Sequence, residues 1–304
     1  MFEITLRIND LNTEDEEKAK QAIKDLVVTL TADLNMAYLD SIVYTSWFEN
    51  DVIAFQKEKQ IQQGFTQSSF GSAAAKAISY IENEQEKHTI FLQDFLFWTL
   101  FNDETNNFAA NTLHHELAHV HDDSLRFQTY TSFHISRSDD FMTIACKIGE
   151  IMWMEFIADR LAISTFTEQS DLRIDDVRKL AISLLETTSK NRNEYLFDGN
   201  AYKVFVELQQ ESNLLLNITG NLLGRVHGLK LQDQIERLPM EYFTPYLIRF
   251  SEELERLYSI YPNWKGMKEL LPLANIIVDL WETLGVSFEA DHEGISIRLN
   301  GTPE

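Results

Sequence analysis

A thirteen-residue segment, residues 151–163 (IMWMEFIADRLAI), constrains the fold more than any other part of the chain. Ten of its thirteen residues are apolar, so the sequence predicts a helix that is buried on nearly all sides. The same helix carries Glu155 and Asp159, which are four residues apart and therefore share one face. A buried carboxylate without a partner costs several kcal/mol or stays protonated. The fold therefore has to bring positive charge to this face.

A second segment can supply that charge through a metal ion. Residues 114–123 (HHELAHVHDD) contain four of the eight histidines of the chain. On a helix, His115 and His119 lie on one face, and Glu116 follows the first of them directly. Two imidazoles at this spacing can bind one Zn²⁺, and the glutamate can reach the water that such a metal activates. The sequence therefore predicts a zinc site with His115 and His119 as ligands.

The acids of the buried helix complete this hypothesis. We expect Glu155 to be the third zinc ligand and Asp159 to accept the Nδ1–H of a ligand histidine from the second shell. Glu150 is a rival third ligand, but it stands at the start of the apolar run and is predicted to be exposed. The alternative is that the carboxylates pair with Arg160 or another cation, and that the histidines form a solvated face.

Neighbouring residues argue against other zinc patterns. A metzincin needs glycine at position 122 and histidine at position 125, where this chain has Asp122 and Leu125. His114 and His121 point to other sides of the predicted helix, so they cannot share a metal with His115 and His119. Both are predicted to be surface or second-shell residues.

H-E-x-x-H on one helix followed by E-x-x-x-D on a later helix resembles the gluzincin group of zinc metallopeptidases, the thermolysin-like clan. The matching residues are His115, Glu116, His119, Glu155 and Asp159. The resemblance covers two helices. It implies a zincin-like fold, with a strand-rich part before the first helix and an edge strand that holds a peptide, for which residues 88–97 are the candidate. Residues 122–148 would form an insertion or an extra helix.

The predicted function is that of a zinc-dependent metallopeptidase acting on a peptide or protein substrate. Glu116 would be the general base, and zinc would lower the pKa of the attacking water. Enzymes of this group also place a Tyr or His after the third ligand to stabilise the oxyanion, and the candidates are His227, Tyr195 and Tyr202. One alternative is a silent or non-catalytic zinc-binding protein whose helical C-terminal part docks a protein partner, and another is an amide hydrolase with a non-peptide substrate.

The first half of the chain mixes strand and helix patterns. Residues 2–8 alternate as a strand does, and a capping box at Thr13 predicts a helix start. Residues 41–48 and 51–55 are β-branched and aromatic, which predicts a hairpin. Residues 72–81 are predicted to be helical, and the apolar stretch after His88 is predicted to begin as a strand and to continue as a buried segment after Asp94.

The second half is mainly helical. Four segments after residue 165 have helical spacing, and Pro272 is predicted to kink or break the last of them. Residues 286–299 alternate on both sides of a turn at residues 291–294, which predicts a β-hairpin. We therefore predict an α+β chain with a zincin-like metallopeptidase domain at residues 1–165 and a mainly helical domain with a C-terminal hairpin at residues 166–304.

Composition narrows the partners and the compartment. Among 304 residues, 26 Lys and Arg stand against 48 Asp and Glu, a formal net charge of −22. Such an acidic surface repels phosphate backbones, so nucleic acid is not an expected partner. No apolar stretch is long enough for a membrane span. The only cysteine, Cys146, cannot form an internal disulfide, and the N-terminus lacks a signal-peptide pattern. We expect a soluble cytoplasmic protein.

Overall fold

The computed structural model describes residues 2–9, 11–61, 67–68, 71–102, 104–129, 141–167, 172–238, 241–291 and 294–299. The chain divides into two compact units. The first comprises Met1–Gln128 and Leu161–Ser170, and the second comprises Thr129–Arg160 and Asp171–Glu304. No helix among the described residues has the length and apolar character of a membrane span. The predicted boundary at residue 165 stays a prediction.

Among its described residues, the first unit contains a mixed sheet, a short two-stranded sheet, four α-helices and a 3₁₀ turn at Ala162–Thr165. Its elements in chain order are β1 (Glu3–Arg7), α1 (Thr13–Leu30), β2 (Leu39–Thr45), α2 (Phe48–Glu58), β3 (Gln67–Ser68), β4 (Gly71–Ser72), β5 (Ala75–Glu82), β6 (Gln85–Gln93), α3 (Asp94–Leu100) and α4 (Asn106–Thr129). The strand at residues 2–8 and the helix start at Thr13 are confirmed, although the Asn12 side chain, rather than Thr13, caps α1.

The main sheet has the strand order β1-β2-β6-β5. β1 pairs with β2 and β2 with β6 in parallel, whereas β5 runs antiparallel to β6. Buried apolar residues of this sheet, such as Ile42 and Ile90, pack with α1 and with Leu113, Leu117 and Val120 of α4 in one core cluster. Burying a leucine or isoleucine side chain contributes about 1.5–3 kcal/mol, so this cluster fixes α4 firmly in the unit.

Two sequence predictions in this unit are wrong. Residues 72–81 were predicted to be helical, but Ala75–Glu82 form strand β5. Alanine favours a helix in isolation, and pairing with β6 overrides that preference. Residues 51–55 were predicted to form a strand, but they lie in α2, where Phe48, Val52 and Gln56 are buried at four-residue intervals. The predicted hairpin at residues 41–55 is therefore a strand followed by a helix.

The candidate edge strand also needs correction. The predicted strand at the start of residues 88–97 is confirmed as part of β6, and α3 follows it from Asp94. However, β6 lies between β2 and β5, so it is an inner strand. β5 is the edge strand on this side of the described sheet.

The predicted insertion at residues 122–148 consists largely of helix extensions. α4 continues to Thr129, and α5 starts at Phe141, well before the apolar run that predicted it. Residues 130–140 lie outside the described residues.

The second unit is mainly helical. Its elements are α5 (Phe141–Leu161), α6 (Ile174–Asp198), α7 (Ala201–Gly228), α8 (Thr244–Ile260), α9 (Leu271–Thr283), β7 (Val286–Asp291) and β8 (Gly294–Leu299), with short 3₁₀ turns between α7 and α9. α5 is buried on most sides, as predicted, and Met152, Trp153, Phe156 and Ile157 are fully inaccessible. Pro272 lies in the first turn of α9, a position where its missing N–H is not needed.

Two glycines bring α7 against α5. A Cβ atom at Gly220 would lie 2.4 Å from the carbonyl oxygen of Met152, and one at Gly224 would lie 2.5 Å from that of Phe156. No side chain fits at either position, so the two backbones touch. The C-terminal strands β7 and β8 form the predicted antiparallel hairpin, although its turn at residues 292–293 is outside the described residues. The α+β class, with a small mixed sheet and a C-terminal hairpin, is confirmed.

Candidate metal centre

The two histidines of the H-E-x-x-H pattern lie side by side on α4. The Nε2 atoms of His115 and His119 are 3.0 Å apart, and their rings are nearly perpendicular, at 87°. Two nitrogens that bind a tetrahedral zinc ion at ~2.0–2.1 Å lie ~3.3 Å from each other. The spacing of the imidazoles is therefore close to that of two ligands of one ion.

The positions of the protons on this histidine pair are compatible with two arrangements. Neutral imidazoles can form a hydrogen bond between the Nε2 atoms if their tautomers differ, or both lone pairs can face a cation. The Nδ1 atom of His119 is buried and has no hydrogen-bond partner among the described residues. In metal sites the nitrogen that does not bind the metal ordinarily donates to an acceptor, which is the role predicted for Asp159.

Glu116, the predicted base, is docked on the edge strand. One of its oxygens, Oε2, accepts a hydrogen bond of 2.7 Å from the backbone N–H of Ala77 in β5, and the residue is 8% exposed. The carbonyl of Ala74 accepts from the N–H of Gln93, so even-numbered residues of β5 pair with β6. Odd-numbered residues such as Ala77 therefore direct their backbone groups towards the outer edge of the described sheet.

Sequence reasoning missed this contact, because it assigned residues 72–81 to a helix. It also missed Lys76, which precedes Ala77 in β5 and is half-buried. Burial lowers the pKa of the Lys76 ammonium, and the charge of Glu116 acts in the opposite direction. A lysine in an alanine-rich stretch gives no sequence signal of such a position.

The two other histidines of the segment contact different parts of the first unit. His114 is buried rather than on the surface, and its Nδ1 lies 3.2 Å from Oγ1 of Thr165. Burial, with a smaller effect of His115, lowers the pKa of His114 to about 4. His121 is half-buried and its Nδ1 accepts from the N–H of Asn35 at 2.6 Å.

Glu155, the predicted third ligand, lies in the second unit and receives two amide donors from α7. Asn217 donates to Oε1 at 2.9 Å, and Asn221 donates to Oε2 at 2.7 Å. These asparagines are four residues apart, so one helix face presents both of them. The sequence analysis did not identify these asparagines as partners of Glu155, and their four-residue spacing was the only feature of the sequence that could have indicated them. The role of Glu155 as a ligand stays a prediction.

Asp159 is paired with a guanidinium. Its side chain is 2% exposed, and Oδ2 lies 3.3 Å from Nε of Arg225 in α7. This contact agrees with the alternative in which an acid of this helix pairs with a cation, but the cation is not Arg160, which pairs with Glu255 at 2.5 Å. The second-shell role of Asp159 stays a prediction. Glu150, the rival ligand, is half-buried rather than exposed.

The three oxyanion candidates are all in the second unit. His227 is buried, with Nδ1 2.8 Å from Oε2 of Glu255 and Nε2 2.7 Å from Oγ of Ser251. Both ring nitrogens are thus engaged. Tyr202 is 75% exposed and Tyr195 is half-buried. Nothing in these surroundings singles out one of them as an oxyanion donor.

In comparisons with known proteins, no family model, no curated protein and no solved structure matches this chain. The resemblance to gluzincins therefore depends on the residues of the two helices alone.

The imidazole pair of the first unit agrees with zinc on chemical grounds. The Nε2 atoms of His115 and His119 are 3.0 Å apart, which suits two ligands of one zinc ion. The acid beside the first histidine, Glu116, is held away from bulk solvent at the edge of a sheet. Two adjacent imidazoles and a neighbouring carboxylate are thus present on α4, whereas the role of Glu155 stays a prediction.

Proposed function

We propose that this chain is a zinc-dependent metallopeptidase of the gluzincin type, with His115, His119 and Glu155 as zinc ligands and Asp159 as the acceptor of the Nδ1–H of a ligand histidine. The observation that carries the proposal is the pair of Nε2 atoms 3.0 Å apart on the helix whose Glu116 bonds the edge strand β5. In this proposal the first unit, with β5 as its edge strand, has a zincin-like organisation.

The edge strand suits an extended peptide substrate. Odd-numbered residues of β5 direct their N–H and C=O groups outward, and such an edge can pair with a peptide backbone. Because Glu116 already accepts the bond from the N–H of Ala77, a peptide would pair with the other outward groups of β5 and pass close to this carboxylate. The substrate we propose is therefore a peptide or an unfolded segment of a protein.

Glu116 would carry the proton transfers. When bound, zinc supplies Lewis-acid polarisation of the carbonyl and lowers the pKa of water to about 7. Glu116 would take the proton of the attacking water and return it to the leaving amine. Its contact with Ala77 fixes the position of the carboxylate during these transfers.

A second candidate function is a non-catalytic zinc-binding protein that docks a partner through its helical part. The observation that favours it is a group of exposed apolar side chains where α6 ends and α7 begins, since Leu196, Phe197 and Tyr202 are 76%, 92% and 75% exposed. Large exposed apolar groups at one place often mark an interaction surface.

The remaining proposals concern partners and location. The net charge of −22 favours partners other than nucleic acids and anionic membrane surfaces. Cys146, the one cysteine, is buried and cannot form an internal disulfide, which favours a reducing compartment such as the cytoplasm.

Metal analysis of the purified protein is the first test. We expect one zinc per chain in the unaltered protein and none in a His119→Ala variant, because one imidazole and one carboxylate would hold the ion too weakly. His121→Ala is the matched control, since this histidine lies two residues further along the same helix and contacts Asn35. Equal zinc contents in all three proteins would contradict the proposed ligands.

Turnover of a peptide library separates the two candidate functions. We expect Glu116→Gln to retain zinc and to lower kcat by about 10²–10⁴-fold, the usual contribution of a general base. Unchanged turnover in Glu116→Gln would show that the base is wrong. A zinc-loaded chain that cleaves no peptide would instead favour the partner-docking function.

A further inference from the structure

One face of α7 carries three polar residues at four-residue intervals, Asn217, Asn221 and Arg225, which we call the α7 polar stripe. Its members contact the two acids of α5. Asn217 and Asn221 donate to Glu155, and Arg225 pairs with Asp159. The stripe therefore matches both carboxylates that the sequence analysis found on the buried helix.

The glycines of α7 make this match possible. Gly220 and Gly224 lie next to the carbonyls of Met152 and Phe156, so the two helices run in the same direction with their backbones in contact. Asparagine has a short side chain, and its amide can reach a glutamate on a neighbouring helix when the axes are close. Spaced glycines in the segment GNLLGRVHG thus have a packing role.

The Asn221 amide is held in one orientation. Its Oδ1 accepts from a guanidinium nitrogen of Arg173 at 3.4 Å, and its Nδ2 donates to Glu155 at 2.7 Å. Arg173 in turn is paired with Asp176 at 3.2 Å. A cation on the carbonyl side of the amide directs the N–H groups towards the carboxylate.

The two acids of α5, Glu155 and Asp159, have different kinds of partner in α7. Asp159 is paired with a cation, which cancels its charge. Asn217 and Asn221 donate to Glu155 as neutral amides, which orient both of its oxygens and add no positive charge of their own. A carboxylate whose oxygens are oriented in this way is suited to bind a metal ion.

We infer that Asn217 and Asn221 are positioning residues for the zinc ligand Glu155, an inference that rests on the proposed function. They fix the carboxylate before the ion arrives, so binding does not have to order a long side chain. Groups that orient a metal ligand in this way typically change affinity by about 10–100-fold when they are removed.

The test measures zinc affinity by competition with a chelator. We expect Asn221→Leu, which keeps the volume and removes the donor, to weaken zinc binding about 10–100-fold, and Asn217→Leu to act in the same direction. Thr219→Val is the control, because Thr219 is buried on the same helix and its hydroxyl bonds only the carbonyl of Leu215 among the described contacts. This variant should bind zinc as the unaltered protein does.

Two further measurements separate positioning from general damage to the fold. The melting temperatures of the metal-free variants should stay close to that of Thr219→Val, and the visible spectrum of the cobalt-substituted protein should change only in the asparagine variants. If a leucine variant does not fold, Arg173→Asn is the alternative, because it removes the guanidinium that orients the Asn221 amide. Asparagine also tolerates the backbone φ of 64° that residue 173 adopts. It should weaken zinc binding severalfold.

The outcomes are distinguishable. A chain that binds no zinc overturns the proposed function and this inference together. A chain that binds zinc with the same affinity in the unaltered protein and in the asparagine variants overturns only the inference. Equal losses of affinity in the asparagine variants and in Thr219→Val would also overturn it, because the stripe would then act through stability alone.

Discussion

At the scale of single residues, Arg225 has the clearest energetic role. It faces Asp159, whose side chain is 2% exposed. Removing one partner of a buried ion pair leaves the other charge without compensation, which costs more than the pair itself contributes.

We therefore expect Arg225→Met to lower the free energy of unfolding by about 3–5 kcal/mol. The combination of Arg225→Met with Asp159→Asn should recover part of this loss, because the stranded charge is then gone. Denaturant unfolding in the presence of a chelator measures both effects without a metal contribution. Additive effects of the two substitutions would contradict a direct pairing.

His227 is the residue from which we expect a pH effect. Burial lowers its pKa, the hydrogen bond and charge of Glu255 act in the opposite direction, and the charge of Arg160 lowers it slightly. The unfolded chain, with a histidine pKa near 6.5, then binds more protons than the folded chain. The contribution of neutral His227 to the free energy of unfolding is complete above about pH 6.5 and is lost as the pH falls below that value.

His227→Gln should therefore show a smaller drop in melting temperature between pH 7.5 and pH 5.5 than the unaltered protein. Ser251→Ala is the control, since it removes the bond to Nε2 but leaves a histidine that titrates. It should lower stability at both pH values. If the melting temperature of His227→Gln fell by as much as that of the unaltered protein, His227 would not contribute to the pH dependence of stability.

How much of the site could be predicted depends on the range of the contacts. The adjacency of His115 and His119 follows from the helical repeat, which the local sequence determines. The partners of Glu116 and Asp159 are 39 and 66 residues away, at Ala77 and Arg225. Contacts of this range depend on how the helices and strands pack. The sequence therefore indicated that Asp159 needed a cation, but it did not indicate that the cation is Arg225.

At the scale of elements, the contact of α5 with α7 depends on glycine, which has no side chain, at positions 220 and 224 of α7. Alanine is favoured over glycine in a helix by about 1 kcal/mol, whereas forcing an extra carbon into a packed interior costs about 1–3 kcal/mol. At Gly224 the obstructing atom is a backbone carbonyl, which cannot rotate away. The steric cost should therefore exceed the gain in helix propensity.

We expect Gly224→Ala to destabilise the protein by about 1–3 kcal/mol. Gln210→Ala, an exposed position of the same helix, is the control and should change stability by less than about 0.5 kcal/mol. Thermal unfolding of both variants measures the difference. A stabilised Gly224→Ala would mean that the two helices are not in backbone contact.

The elements that sequence reasoning misassigned were those in which local preference and packing disagree. The alanines around the start of β5 favour a helix, yet Ile78 and Tyr80 alternate with exposed neighbours in the strand. In α2 the β-branched residues suggested a strand, but burial follows the helical repeat. Helical spacing in the region of α6 and α7 was predictable because the apolar periodicity extends over several turns, but the predicted segment at residues 194–210 runs across the break between the two helices at Gly199 and Asn200.

At the scale of the whole molecule, the net charge of −22 determines the response to salt. Like charges repel across the surface, and a Debye length of about 10 Å at 0.1 M salt shortens the range of that repulsion. Screening also weakens the exposed ion pairs, but each of these contributes only about 0–1 kcal/mol. Repulsion should therefore dominate.

We expect the melting temperature to rise by a few degrees between 10 mM and 200 mM sodium chloride, because screening relieves this repulsion. Calorimetry at constant pH measures the change. Sucrose of equal osmolarity is the control for nonspecific stabilisation and should not reproduce the salt dependence at low concentration. A fall in melting temperature with salt would show that attractive ion pairs outweigh the repulsion.

The bond between Glu116 and the N–H of Ala77 has a practical consequence for handling the protein. An uncovered strand edge invites neighbouring molecules to add strands, which leads to aggregation. The carboxylate of Glu116 occupies one outward N–H of β5 and places a negative charge beside it. A substitution that truncates Glu116 would uncover that edge, so glutamine, whose amide oxygen can still accept the bond, is a safer replacement than alanine at high concentration.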